Sequence, residues 1–150
     1  MAFLETDVDS CPLCQAQNET LLWSDARCRV IQVNDADYPA FCRVIWNKHV
    51  REMTDLTKSQ RAHLLNVVYA VEHVLRQLMR PTKINLASFG NQTPHLHWHI
   101  TPRFDDDAHF PDPLWAPRKR PGTPHAVDRE ELTQALYARL GGRRKNREQH

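Results

Sequence analysis

Residues 94–103 read PHLHWHITPR, with His95, His97 and His99 at alternate positions and Leu96, Trp98 and Ile100 between them. Successive side chains of a β-strand point to opposite faces, so positions i, i+2 and i+4 share one face at a spacing of about 6.6 Å. On a helix the same three rings would step by about 200° and share nothing. The alternation, the aromatic and β-branched residues, and Pro102 near the end of the run predict a strand with an apolar core face and an opposite face of three imidazoles. A half-buried strand with an incidentally polar face is the ordinary alternative. Three titratable rings on one face, however, form the kind of cluster that marks functional sites.

Outward from this strand, TLLWSDARCRVIQVN (20–34) reads as two short strands around a turn at Ser24 and Asp25. AFCRVIW (40–46) reads as a third strand, and KINLASFG (83–90) as a fourth that ends at Gly90 before the polar loop NQT. Between the third and fourth strands, Thr57 predicts a helix N-cap, with Gln60 completing a capping box. From Lys58 to Met79, residues Leu64, Leu65, Val67, Val68, Val71, Val74, Leu75 and Leu78 fall on one broad helical face, and Pro81 stops the helix. After Arg103 the chain is Pro-rich and loop-like, with FDDDAH reading as a solvated loop, before an amphipathic helix over 128–140. The expected fold class is α+β: a mainly antiparallel five-stranded sheet with one long helix and a C-terminal helix.

The 150 residues suit one domain over 1–140, with a core at 11–103, an extension at 104–127, the helix at 128–140, and a basic flexible tail at 141–150. That tail, GGRRKNREQH, has four basic residues and one acidic, a net +3 within a chain total of +2, so the body is close to neutral. A near-neutral body argues against a nucleic-acid-binding surface. No apolar run approaches 18 residues, so no membrane span is expected, and the acidic start MAFLETDVDS does not read as a signal peptide. The expected location is therefore cytoplasmic, with the four cysteines reduced. Cys11 and Cys14 form a Cys-x-x-Cys pair, suited to one edge of a zinc site or to a redox motif, while Cys28 and Cys42 read as small buried hydrophobes. His63 and His73 fall off the apolar helix face and read as solvated. Trp115 could stack on a base or cap a partner's site, but packing on its own domain is the ordinary outcome.

Three imidazoles on one strand face allow two chemistries. Together with neighbouring groups they could bind zinc or iron. Alternatively, one ring nitrogen could attack phosphorus and form a covalent intermediate, with its neighbours orienting it. Imidazole titrates near neutrality and needs little tuning for such work. His97, flanked on both sides, is the best-placed nucleophile, and Asn91, Gln92, Thr93 and the backbone N–H groups after Gly90 could meet the charge developing on oxygen.

HLHWHIT resembles the signature of the histidine-triad family, His-φ-His-φ-His-φ-φ with φ hydrophobic, with Thr101 departing at the last position. RVIQVN, CRVIWNKHVREMTDL, the long helix, INLASFGNQ and the ending PRF follow that family's order over about residues 11–103. The resemblance implies a homodimeric α+β enzyme of the histidine-triad (HIT-like) fold. Its expected activity is hydrolysis at the α-phosphate of a nucleoside phosphoramidate or dinucleoside polyphosphate, by way of a nucleotidyl-histidine and with a purine nucleotide as substrate. A non-catalytic nucleotide-binding module on the same fold and a metal-dependent enzyme are the alternatives. The resemblance makes His97 the nucleophile, His99 its phosphate-contacting neighbour, and His95 a supporting or zinc-binding member. It places Asn34, or its rival Asp35, at the ribose, and Asn85 near the phosphates. GNQTPH is slipped by one residue from the family's Gly-Gln-Ser/Thr, which leaves Asn91, Gln92 and Thr93 as competing candidates beside the leaving group. Some relatives bind a structural zinc at positions that here hold Cys11, Cys14, His49 and His95; no organic cofactor is implied.

Overall fold

The computed structural model describes residues 6–144. Two short helices, α1 (Thr6–Asp9) and α2 (Pro12–Gln15), lead into β1 (Thr20–Ser24), β2 (Cys28–Gln32) and β3 (Cys42–Trp46). Helix α3 (Lys58–Met79) follows, then β4 (Lys83–Ala87), β5 (His97–Arg103) and α4 (Arg129–Leu140). The five strands make one sheet in the order β1-β2-β3-β5-β4, and every neighbouring pair is antiparallel. The expected fold class is what the structure has. The expectation for the N-terminus falls partly on residues 1–5, and that for the basic tail at 141–150 falls partly on 145–150; residues 1–5 and 145–150 lie outside the described residues.

Helix α3 starts where capping chemistry dictates: Thr57 Oγ1 accepts from the Gln60 N–H at 3.2 Å, and Gln60 Oε1 accepts from the Thr57 N–H at 2.8 Å. Arg80 closes it in the left-handed conformation, one residue before Pro81. Leu64, Val67, Val68, Val71, Val74 and Leu75 are buried against one sheet face, whereas Leu78, at the end of the stripe, is exposed. Alternation sorts the strands: Cys28, Val30, Cys42, Val44, Leu96 and Ile100 join that core, and Trp98 packs against it. Cys28 and Cys42 are fully buried, and burial pushes the Cys42 thiol up to about 12. Helix α4 packs on α3 and β1, and the Trp23 indole donates to the Gly141 carbonyl at 3.0 Å. Both long helices therefore cover one face of the sheet and leave the other face to the histidines. Among the described residues, no helix is long and apolar enough to cross a membrane.

Three readings need correction. First, β5 begins at His97, because Pro94 and a tight turn (His95 N–H to Thr93 carbonyl, 2.8 Å) set His95 ahead of the strand. Second, His63 is not solvated: its Nε2 lies 2.6 Å from Asp25 Oδ2, while Asp25 Oδ1 accepts from the N–H groups of Arg27 and Cys28. This links the β1–β2 turn to α3. Third, FDDDAH is not a solvated loop, since Asp107 and His109 are both buried. The Arg103 guanidinium donates to both Asp107 oxygens, at 2.8 and 3.0 Å, and to the Asp112 carbonyl at 2.7 Å. Asp107 also accepts from the Tyr38 hydroxyl and from the N–H groups of Phe104, His109 and Phe110. A loop that supplies one carboxylate with so many donors can enter the interior without stranding a charge.

Burial alone would raise the Asp107 carboxyl, but Arg103 and the three N–H groups outweigh it and hold the carboxyl well below the usual carboxylate range. Its contribution to stability is thus fully present above the unfolded carboxylate value, about 4, and is lost as pH falls through the depressed folded value. Replacing Asp107 by Ala strands the buried Arg103 charge and should cost about 3–5 kcal/mol in urea unfolding at pH 7. The gap between wild type and Asp107→Ala should narrow below about pH 4. An unfolding midpoint unchanged at pH 7 would contradict this account.

Candidate active site and metal-ligand cluster

The sheet face opposite the helices carries His97 and His99 on β5, with Ile45 and Arg43 directly across on β3 and Ala87 across from His99 on β4. A cavity of about 480 Å³ opens over this face. Its walls are His97, His99 and Arg43, the loop 89–93, Pro12 and Leu13 of α2, and Trp115 from the extension. A second cavity, of about 300 Å³, lies beyond Phe89, His99 and Trp115 and is lined by Lys83, Asn85, Thr101 and Leu114. Gly90 turns the loop with φ +73°, a conformation that side chains with a Cβ resist.

The ring state of the central histidine follows from its partner. His97 Nδ1 lies 2.6 Å from the His95 carbonyl oxygen, and a carbonyl only accepts, so Nδ1 carries the proton. In the neutral ring Nε2 then holds the lone pair. Burial, opposed by that hydrogen bond and reinforced by Arg43, holds His97 below the ordinary imidazole value. His99 stacks on His97 at 5.0 Å between ring centres, and burial, His97 and Arg43 together bring it down to about 4. Both rings are neutral at pH 7. His99 Nε2 and Arg43 Nε are buried without hydrogen-bond partners among the described residues, so the cavity wall holds polar groups that the protein itself leaves unmet.

His95 faces elsewhere. Its Nε2 lies 2.5 Å from the Trp46 carbonyl and therefore carries the proton, which leaves Nδ1 as a lone pair. That Nδ1 is 3.3 Å from Cys11 Sγ, 3.4 Å from Cys14 Sγ and 3.2 Å from His49 Nδ1; Cys14 Sγ is 3.2 Å from His49 Nδ1. The four donor atoms lie within 4.8 Å of one another. Tetrahedral zinc requires S···N separations of about 3.5 Å and N···N of about 3.3 Å, and the cluster is compatible with that geometry. Helix α2 places the thiols: Cys11 is its N-cap, its Sγ accepts from the Cys14 N–H, and Pro12 occupies the first turn. Arg29 holds α2 down by donating to the Leu13 carbonyl while pairing with Glu19 and Asn47. Among the described residues, no metal-ligand cluster includes His97 or His99, so the triad is divided between two sites that share the His95 backbone.

Asn91, Gln92 and Thr93 line the first cavity. Asn85 lines the second one, with its Oδ1 accepting from Arg103 at 2.8 Å. Asn34 is exposed and lines neither cavity, and Asp35 Oδ1 is engaged by the N–H groups of Asp37 and Tyr38. Arg43, Phe89, Pro12 and Leu13 were not anticipated. Arg43 could have been found as the single charge inside the apolar strand AFCRVIW, on the parity that must face away from the core.

The chain belongs to the HIT domain family: that family's model matches residues 15–106, which include His49 and all three triad histidines. Two solved structures are similar over most of their length. A histidine triad protein from Bradyrhizobium japonicum is 27% identical with a TM-score of 0.66, covering 84% of this chain and 93% of that one. A histidine triad protein from Marinobacter aquaeolei is 28% identical with a TM-score of 0.62, covering 84% and 88%. A zinc-bound histidine triad family protein from Mycobacterium smegmatis shares the fold, at 21% identity and a TM-score of 0.62, covering 89% and 94%. Curated relatives from two strains of Mycobacterium tuberculosis, named AP-4-A phosphorylase, are 30% identical over 78 residues. That match covers 48% of this chain and only 40% of those relatives.

Proposed function

We propose that this chain is a nucleotide hydrolase acting at the α-phosphate of a nucleoside phosphoramidate or dinucleoside polyphosphate. The observation that carries the reading is the His97 Nδ1–H bond to the His95 carbonyl, which directs an unprotonated Nε2 toward chemistry at the cavity wall. Membership of the HIT domain family supports it, as do the distant relatives named AP-4-A phosphorylase.

In the first step His97 Nε2 attacks the α-phosphorus. A P–N bond forms, the bond to the leaving group breaks, and the leaving group departs with the electron pair and takes up a proton from solvent. Water then attacks the same phosphorus: a P–O bond forms, the P–N bond breaks with its electron pair returning to Nε2, and water's proton passes to solvent as the nucleoside monophosphate leaves. Arg43 supplies fixed positive charge, and His99, as its Nε2–H tautomer, supplies a donor for the phosphoryl oxygens. Asn91, Gln92 and Thr93, which follow Phe89 in the same loop, are assigned to the leaving atom at the scissile bond in the first cavity, and Asn85 to the phosphates that continue beyond His99. Asn34 is the proposed ribose contact, which its exposed position would require the substrate to reach from the cavity rim. The working unit is a cytoplasmic homodimer that takes a purine nucleotide.

We further propose that Cys11, Cys14, His49 and His95 hold one zinc ion. With four protein ligands it has no open position for water, so it would supply structural cross-linking. His95 then positions its own carbonyl under His97.

Substituting His97 by Ala should reduce hydrolysis of diadenosine tetraphosphate and adenosine phosphoramidate at least a thousandfold while leaving AMP affinity within a few fold. Full activity in that variant would rule out the mechanism. Binding without turnover in the wild type would leave a nucleotide-binding module. Cleavage that depends on added inorganic phosphate and releases ADP in place of AMP would make the enzyme a phosphorylase. Metal analysis should find about one zinc per chain, with Cys14→Ala well below that and melting at a lower temperature. Undiminished zinc in Cys14→Ala would remove the proposed ligand set.

A further inference from the structure

Trp115 and Phe89 are large and exposed, and they stand beside His99. Trp115 is 69% exposed and Phe89 47%. Their rings meet edge to face at 4.8 Å, and Phe89 meets His99 in the same manner at 5.8 Å. An exposed aromatic on a loose loop would be unremarked. Here the loop is tied down on both sides of Trp115. Before it, the Asp112 carbonyl accepts from Arg103; after it, Arg120 donates to the carbonyls of Asp107 and Phe110, and the Lys119 N–H donates to the Ala108 carbonyl. Gly122 fits so closely over Ala108 that a Cβ there would stand 2.7 Å from the Ala108 nitrogen. The protein thus bears the entropy of ordering an indole without burying it.

The two aromatics and His99 are the partition shared by the two cavities. On the near side are His97 and Arg43. On the far side, apolar Leu114 and the outer face of Trp115 stand with Lys83, Asn85 and Thr101. A flat apolar surface beside an ammonium and neutral polar groups suits a heteroaromatic base joined to anionic phosphates.

We propose that Phe89 and Trp115 are specificity-determining residues, forming a stacking wall for the leaving half of the substrate, and that the second cavity receives it. This rests on the reading of His97 as nucleophile. It predicts that the preferred substrate is two-headed, with a leaving group that is itself a nucleotide. A small amine leaving group would leave the wall uncovered and forfeit the stacking contact.

The test compares kcat/KM for diadenosine tetraphosphate and for adenosine phosphoramidate in the wild type, Trp115→Ala and Trp115→Phe. The ratio of the two values should favour the dinucleotide in the wild type. It should fall roughly tenfold in Trp115→Ala, chiefly through KM, because stacking on one aromatic side chain is typically worth about that much. It should recover in Trp115→Phe. Calorimetry on the same Trp115 series in the His97→Ala background gives a readout without turnover: diadenosine tetraphosphate should bind roughly tenfold more weakly when Trp115 is Ala, and AMP should lose less. Equal losses for both substrates and both ligands would overturn the stacking wall. A changed oligomeric state in Trp115→Ala would also overturn it, by assigning the aromatic pair to an interface between copies. Absence of turnover in the wild type, with the calorimetric difference intact, would instead overturn the catalytic reading and keep the binding wall.

Discussion

The carbonyl of His95 is the atom on which the two halves of the site depend. It accepts the His97 Nδ1 proton at 2.6 Å, and the ring of the same residue turns away to face two thiols and a second imidazole. A backbone oxygen cannot donate, so this contact fixes one tautomer of His97 and leaves the other nitrogen as a base. The position of that oxygen is set from both directions. Downstream, β5 is paired on both edges, with β3 and β4. Upstream, the His95 ring is held by the Trp46 carbonyl and by the Cys11, Cys14 and His49 cluster. A group that merely sat near His97 could not impose this geometry, whereas a backbone held at both ends can.

The rest of the molecule leaves part of that face open and polar, beside a small apolar cluster in which Cys11 and Leu13 bury Ile31 and Ile45. Because α3 and α4 cover only one side, the alternation of β3 and β5 assigns Val44, Trp98 and Ile100 to the core and Arg43, His97 and His99 to the cavity. The extension then returns across the end of the sheet. It can do so because Arg103, on the same strand as the triad, pairs with buried Asp107. One strand thus carries the two cavity-lining histidines at its start and, at its end, the cation that anchors the cavity's outer wall.

Much of this was legible in the sequence, and the reasons are local. The period-2 pattern identified the strand and its two faces from His97 onward, though not the departure of His95, and Thr57 with Gln60 marked the start of the long helix through hydrogen bonds made within four residues. The donor set Cys11, Cys14, His49 and His95, suggested by resemblance, is drawn together by the fold. What could not be read depended on distant partners. The acidic run 105–107 looks solvated until Arg103 and Tyr38 are placed around Asp107, and His63 looks solvated until Asp25 arrives from another turn. The parity of AFCRVIW turns Arg43 away from the core, but that it stands beside the triad follows only from its register opposite His99.

The central claim is that His97 becomes covalently nucleotidylated. The most direct measurement is intact-protein mass spectrometry a short time after mixing with diadenosine tetraphosphate, and separately with adenosine phosphoramidate, quenched without acid and followed by peptide mapping. The account predicts a transient increase of one adenylate mass that maps to His97 and is absent in His97→Ala. Product formation with no adduct, or an adduct on another residue, would contradict it.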